Sequence, residues 1–98
     1  MGSDKPIPGR TWQCETPNWR PLENLAPDDL EDFMWMHEVE LEGGARLQAY
    51  KHYWTRRYLH LDSEGRAFVF RDNGTYRQVP PCWLLELVLR GVEELRPD

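Results

Sequence analysis

The sequence predicts an α+β fold: a curled four-stranded antiparallel meander with a short N-terminal helix and one long C-terminal helix packed on the sheet. Three observations predict it. Apolar and polar residues alternate with period two from Trp35 onward, the pattern of a half-buried strand. Glycine-centred turn signals recur at Gly43, Gly44, Gly65 and Gly74. The segment from Cys82 to Leu95 carries no turn residue but Gly91, and its apolar residues follow a helical spacing.

A chain of 98 residues has room for one domain and one modest core. Residues 1–26 hold Pro6, Pro8, Pro17 and Pro21 and show neither period. Proline fixes φ and removes a backbone donor, so this stretch reads as an extended arm. It also holds Trp12, Trp19, Leu22 and Leu25, which predict that part of the arm docks on the single α+β domain, residues 27–98. "APDDLEDF" opens that domain as a short helix, with Pro27 at its first position and Asp28 and Asp29 complementing the positive end of the dipole.

In the first strand Trp35, His37, Val39 and Leu41 share one face, and Glu38, Glu40 and Glu42 the other. A three-residue loop, Gly43 to Ala45, would oppose Leu41 to Leu47 and Val39 to Ala49, keeping the apolar faces together. A two-residue turn would mix them. From Arg46 to Leu61 there is no Gly, Pro, Asn, Asp or Ser. Sixteen extended residues would span roughly 50 Å, more than a globule of this size, about 30 to 35 Å across. The expectation is one long strand bent by a bulge near Trp54 to Arg57, with two separate strands as the alternative. "DSEGR" reads as a three-residue loop with Gly65 left-handed, aligning Leu61 with Ala67 and His60 with Phe68. "DNGT" reads as a type I′ hairpin turn, and Pro80 and Pro81 end the last strand.

The final helix is apolar over more than one face: only Glu86, Arg90, Glu93 and Glu94 interrupt it. One side of a small sheet cannot bury so much. That surplus points to contact with another protein, or with a second copy of this one, through Leu85, Leu89 and Val92. Glu38 and Glu40 on the acidic strand face would supply steering. The function expected is therefore a non-enzymatic protein-protein interaction module: a small acidic adaptor, an inhibitor or a homo-oligomerising domain.

Charge is unevenly placed. Residues 1–45 carry three basic and ten acidic side chains, residues 46–77 seven and three, and residues 78–98 two and four, within a net charge of -5. The basic middle third includes "YKHYWTRRY", whose Lys51, Trp54, Arg56 and Arg57 are the residue types that hold single-stranded nucleic acid by cationic groove and stacking. On a straight strand the pleat would split that patch between two faces. A sequence pI near 5.1 also argues against it, so nucleic acid stands as the second reading.

Catalysis has one thread, Cys82 at the expected start of a helix, where the dipole favours a thiolate. No general base is placed beside it, and no phosphate loop, nucleophile elbow or carboxylate pair is present. His37 and His52 would point to opposite faces, and His52 and His60 lie roughly 26 Å apart on a straight strand, so no metal set forms. No cofactor is expected. Cys14 and Cys82 match neither a zinc spacing nor a disulfide framework. No apolar run approaches the length of a bilayer span and no secretory signal is visible. The expected setting is cytoplasmic, away from membranes.

Overall fold

The computed structural model describes residues 6–12, 16–71 and 73–90, with Trp12 described for its backbone alone. Its strands are β1 (Ile7–Trp12), β2 (Phe33–Leu41), β3 (Arg46–His52), β4 (Tyr58–Asp62), β5 (Ala67–Phe70) and β6 (Thr75–Val79). Two helices, α1 (Arg20–Leu25) and α2 (Pro81–Arg90), flank them, with a 3₁₀ helix at Pro27–Asp32. The six strands close antiparallel, in chain order, into a barrel. This overturns the four-stranded meander and its long packed helix. Closure pairs the edges that an open meander would leave bare.

The first added strand is β1, in the stretch that its prolines argue against. Closure needs little from it: β1 pairs with β6 only at Ile7↔Tyr76 and Pro8↔Thr75, and with β2 from Gly9↔Leu41 to Trp12↔Glu38. Pro8 has no N–H to lose, and its carbonyl accepts from the Glu42 amide at 2.8 Å. Gly9 sits at the seam, where a Cβ would lie 2.8 Å from both Leu41 and the Tyr76 ring. The absence of a side chain lets β1 close the barrel.

The second added strand comes from splitting Arg46–Leu61. His52 and Arg57 close the break, the His52 amide donating to Arg57 O and the Arg56 amide to His52 O, both at 2.9 Å. Arg56 takes the left-handed conformation at φ 65°. A turn without Gly, Asn or Asp gives no compositional signal, which is why one long strand was the expectation.

The β2–β3 loop has three residues but begins one position earlier than expected: the Leu41 amide donates to Ala45 O, and Val39 faces Leu47 rather than Ala49. The slip is by two in register, so the apolar faces stay together. A bulge between Trp35 and His37 then moves Phe33 and Trp35 to the opposite face from Val39 and Leu41. The Ser63–Gly65 loop forms as the sequence indicates, with Gly65 at φ 86° and Leu61↔Ala67 and His60↔Phe68 paired. At "DNGT" the Arg71 amide reaches Thr75 O, one residue wider than a type I′ turn.

Two apolar layers result. Inside the barrel lie Val39, Leu41, Leu47, Phe68 and Tyr76, with Ile7 against them. Outside it, Tyr50, Leu59, Leu61 and Ala67 are covered by Leu22 and Ala26 beside α1 and by Leu84 and Val88 of α2. β3 and β4 are thus buried on both faces, which explains why Leu59 to Asp62 are all sealed. Among the described residues no helix is long and apolar enough to cross a membrane.

Candidate functional site

β4 and β5 pair only at His60↔Phe68 and Leu61↔Ala67. Beyond those pairs the strands separate, and Tyr58 and Phe70 stand on either side of a cleft of about 520 Å³. Thr11 and His37 line it from β1 and β2, His60 and Tyr76 from β4 and β6, and Trp83, Leu84, Leu87 and Val88 of α2 complete the wall. The volume falls within the range of small-ligand sites. Helix α2 reaches this opening because the Thr55 hydroxyl, in the β3–β4 turn, donates to Val88 O at 2.7 Å.

The walls are mostly rings. Tyr58 stacks on His60 at 5.8 Å and 16°, His60 meets Tyr76 edge-on at 5.2 Å, and Phe70 lies 5.2 Å from Tyr76. His37 approaches Tyr58 at 6.3 Å. Apolar exposure gathers here too: Tyr58, Phe70 and Trp83 account for three of the six exposed large hydrophobic side chains among the described residues.

Among the described residues no carboxylate lines the cleft. Burial pushes the His60 imidazole down to about 4, helped by the charge of His37, whose own pKa is lowered by burial. Both rings are therefore neutral at pH 7, and among the described residues Arg57 is the one charged residue of the lining. Burial also raises the Tyr76 phenol.

The residues singled out from the sequence do not gather in one place. Leu85 and Leu89 are half-buried and pack against the outer apolar layer, while Val92 lies outside the described residues. Glu38 accepts from Gln48 at 2.7 Å and pairs with Arg46, and Glu40 pairs with Arg10 at 3.1 Å. Lys51 sits 5.7 Å over the Tyr58 ring. Trp54 is 78% exposed and donates its indole N–H to Asp32 at 3.2 Å, away from the cleft that Arg57 lines. Arg56 is exposed in the turn. Cys82 is a free, exposed thiol on the first turn of α2, and Cys14 lies outside the described residues.

Sequence reasoning missed the His37–His60 pair. His37 faces Ala49 on β3, and Ala49 faces His60 on β4. The register that places His37 opposite Lys51 hides this, and the loop closure by Leu41 and Ala45 is the signal that would have found it. His52 stays apart, bound to Thr55 at 3.1 Å and stacked edge-on against Phe33. Among the described residues no three His, Cys, Asp or Glu side chains are grouped to hold a metal ion.

Fold and site together define a small closed β-barrel with a helix-walled aromatic cleft. Compared with models of protein families, with curated proteins and with solved structures, the chain gives no significant match.

Proposed function

We propose that this chain is a non-enzymatic protein-interaction domain that seats an aromatic side chain of another protein in the β4–β5 cleft. The observation that carries the reading is the collection of Tyr58, Phe70 and Trp83, all exposed, around one concave site. Aromatic anchors in pockets dominate the energetics of protein interfaces, and an apolar cleft with no carboxylate among its described residues favours such an anchor. The apolar face of α2 is a weaker candidate, since Leu84 and Val88 are sealed and Leu85 and Leu89 lie against the chain's own core. A cytoplasmic setting belongs to this proposal, in keeping with a free exposed thiol at Cys82.

The single-strand nucleic-acid reading keeps Lys51 over the ring of Tyr58 and Arg57 in the same cleft lining, but Trp54 is engaged with Asp32 and the net charge is -5. Selecting peptides from a random display library against the native protein tests the proposal. Binders should share an aromatic residue and lose at least tenfold in affinity against Trp83→Ala or Phe70→Ala. Binders indifferent to Tyr58, Phe70 and Trp83 would refute it, as would salt-sensitive oligonucleotide binding at micromolar protein with no peptide selected.

A further inference from the structure

The cleft has a polar side to its specificity. We infer that it reads an aromatic ring and a carboxylate on the same residue, so that the group it takes from a protein partner is a C-terminal aromatic residue. This rests on the cleft being the recognition site.

Three features of the cleft support the inference. The first is His60. Its side chain is only 5% exposed, yet neither ring nitrogen makes a hydrogen bond to the described protein. Among the described residues no fully sealed polar side-chain atom is left without a partner, so the imidazole nitrogens open onto the cleft that His60 lines. A neutral imidazole offers one N–H donor and one acceptor. An incoming polar group that approaches along the cleft finds both of them available.

The second is charge. Arg57 belongs to the lining, and its guanidinium makes no ion pair or hydrogen bond with a described residue. Of the arginines without an ion pair to a described residue, Arg57 is the one that lines the cleft. The Lys51 ammonium over Tyr58 adds to the positive field at the mouth. With no carboxylate among the described residues of the wall to neutralise it, the cleft favours an anion in a protein that is acidic overall.

The third is shape. The near-parallel Tyr58–His60 pair and the edge-on Tyr76 frame a space suited to a flat ring, and aromatic pairs gain from offset and edge-to-face contact. A ring and a carboxylate held a few bonds apart on one residue satisfy the rings and the cation together. A C-terminal phenylalanine or tyrosine has both, whereas the same residue within a chain has only the ring. Capture of a terminal carboxylate by a prepared donor set is an established mode of peptide recognition.

The test uses the whole protein and dye-labelled octapeptides that end in phenylalanine, either as the free acid or as the C-terminal amide. Fluorescence polarisation gives affinity, and the His60 Cε1 resonance reports occupancy of the cleft. The free acid should bind, shift the His60 resonance at saturation, and bind about tenfold or more tightly than the amide, as expected for a hydrogen bond to a charged group. Arg57→Gln, checked for folding by its circular dichroism and melting temperature, should lower the free acid's affinity toward that of the amide.

Equal binding of acid and amide overturns the carboxylate inference while leaving the aromatic cleft in place. A folded Arg57→Gln that keeps the full preference for the acid over the amide overturns the role given to Arg57. Binding that leaves the His60 resonance unmoved overturns the site. Failure of both peptides overturns the inference and the proposed function together. Free 3-phenylpropionate should compete only weakly. If it binds as tightly as the peptide, the ligand is a free aromatic acid and the chain-end assignment is wrong.

Discussion

Lowering the pH from 7 to 5 should destabilise this protein through one buried ring. The His60 side chain is 5% exposed, and its burial holds its pKa at about 4 against an ordinary 6.5. The unfolded chain therefore takes up a proton near pH 6.5, and the folded chain only near 4. Between those values the unfolded state binds more protons, so stability falls as pH falls through the window. It is fully present above pH 6.5 and declines no further, on this account, below 4.

At about 1.4 kcal/mol per pH unit, the separation of the two values sets a ceiling of about 3 kcal/mol, of which about 2 kcal/mol is lost by pH 5. That is a large share of the stability of a small domain. Urea unfolding followed by far-ultraviolet circular dichroism at pH 7, 6 and 5 measures it. His60→Phe and His60→Gln remove the titrating group, so their curves should be flatter than the native one by about 2 kcal/mol between pH 7 and 5. His37 titrates beside it with a pKa lowered in the same direction, so His37→Gln should flatten the curve as well. The other cleft residues that bear on this charge are Arg57, Tyr58 and Tyr76. Parallel curves for the native protein and both His60 variants would refute the reasoning, since they would mean that folding does not hold the imidazole neutral.

Other substitutions probe the architecture. Gly9→Ala places a methyl group 2.8 Å from Leu41 and from the Tyr76 ring, and overpacking of this kind costs about 1 to 3 kcal/mol; the melting temperature should fall, and an unchanged value would show that the seam is loose. Thr55→Val removes the hydroxyl that donates to Val88 O at 2.7 Å and accepts from the Arg57 amide at 3.3 Å. Its cost should be about 1 to 2 kcal/mol, or several degrees of melting temperature at this size, with amide exchange in α2 accelerating. Arg56→Gly relieves a left-handed residue at φ 65°. Strain of about 1 to 2 kcal/mol, set against glycine's extra unfolded-state entropy of about 0.5 to 1 kcal/mol, predicts unchanged or slightly raised stability in urea. A loss above about 1 kcal/mol would show that the arginine side chain has a structural role.

Local chemistry was legible along the chain. The positive φ of Gly65 follows from "DSEGR", where Asp62 accepts from the Glu64 and Arg66 amides and from the Arg66 side chain. The facing of Val39, Leu41 and Leu47 follows from alternation, because a slip of two residues preserves it. α2 starts at Pro81, one residue before the expected Cys82, since proline's fixed φ suits the first position of a helix. Such features depend on neighbours a few residues away, so composition and spacing carry them.

Closure of the barrel depends on partners far apart in sequence, and there the residues are ambiguous. A proline-rich stretch becomes β1 because Gly9 fits between Leu41 and Tyr76, a fact about three positions that only the fold brings together. The break at Tyr53–Arg57 is held by tertiary bonds from Thr55 to α2 and from Tyr53 to Asp32, and no turn residue announces it. The cleft exists because β4 and β5 part after two pairs. The sequence alone determined the Ser63–Gly65 turn, the shared face of Val39, Leu41 and Leu47, and the charge map, since these are short-range. Tertiary structure decided which rings and which cation meet, since that depends on where six strands close.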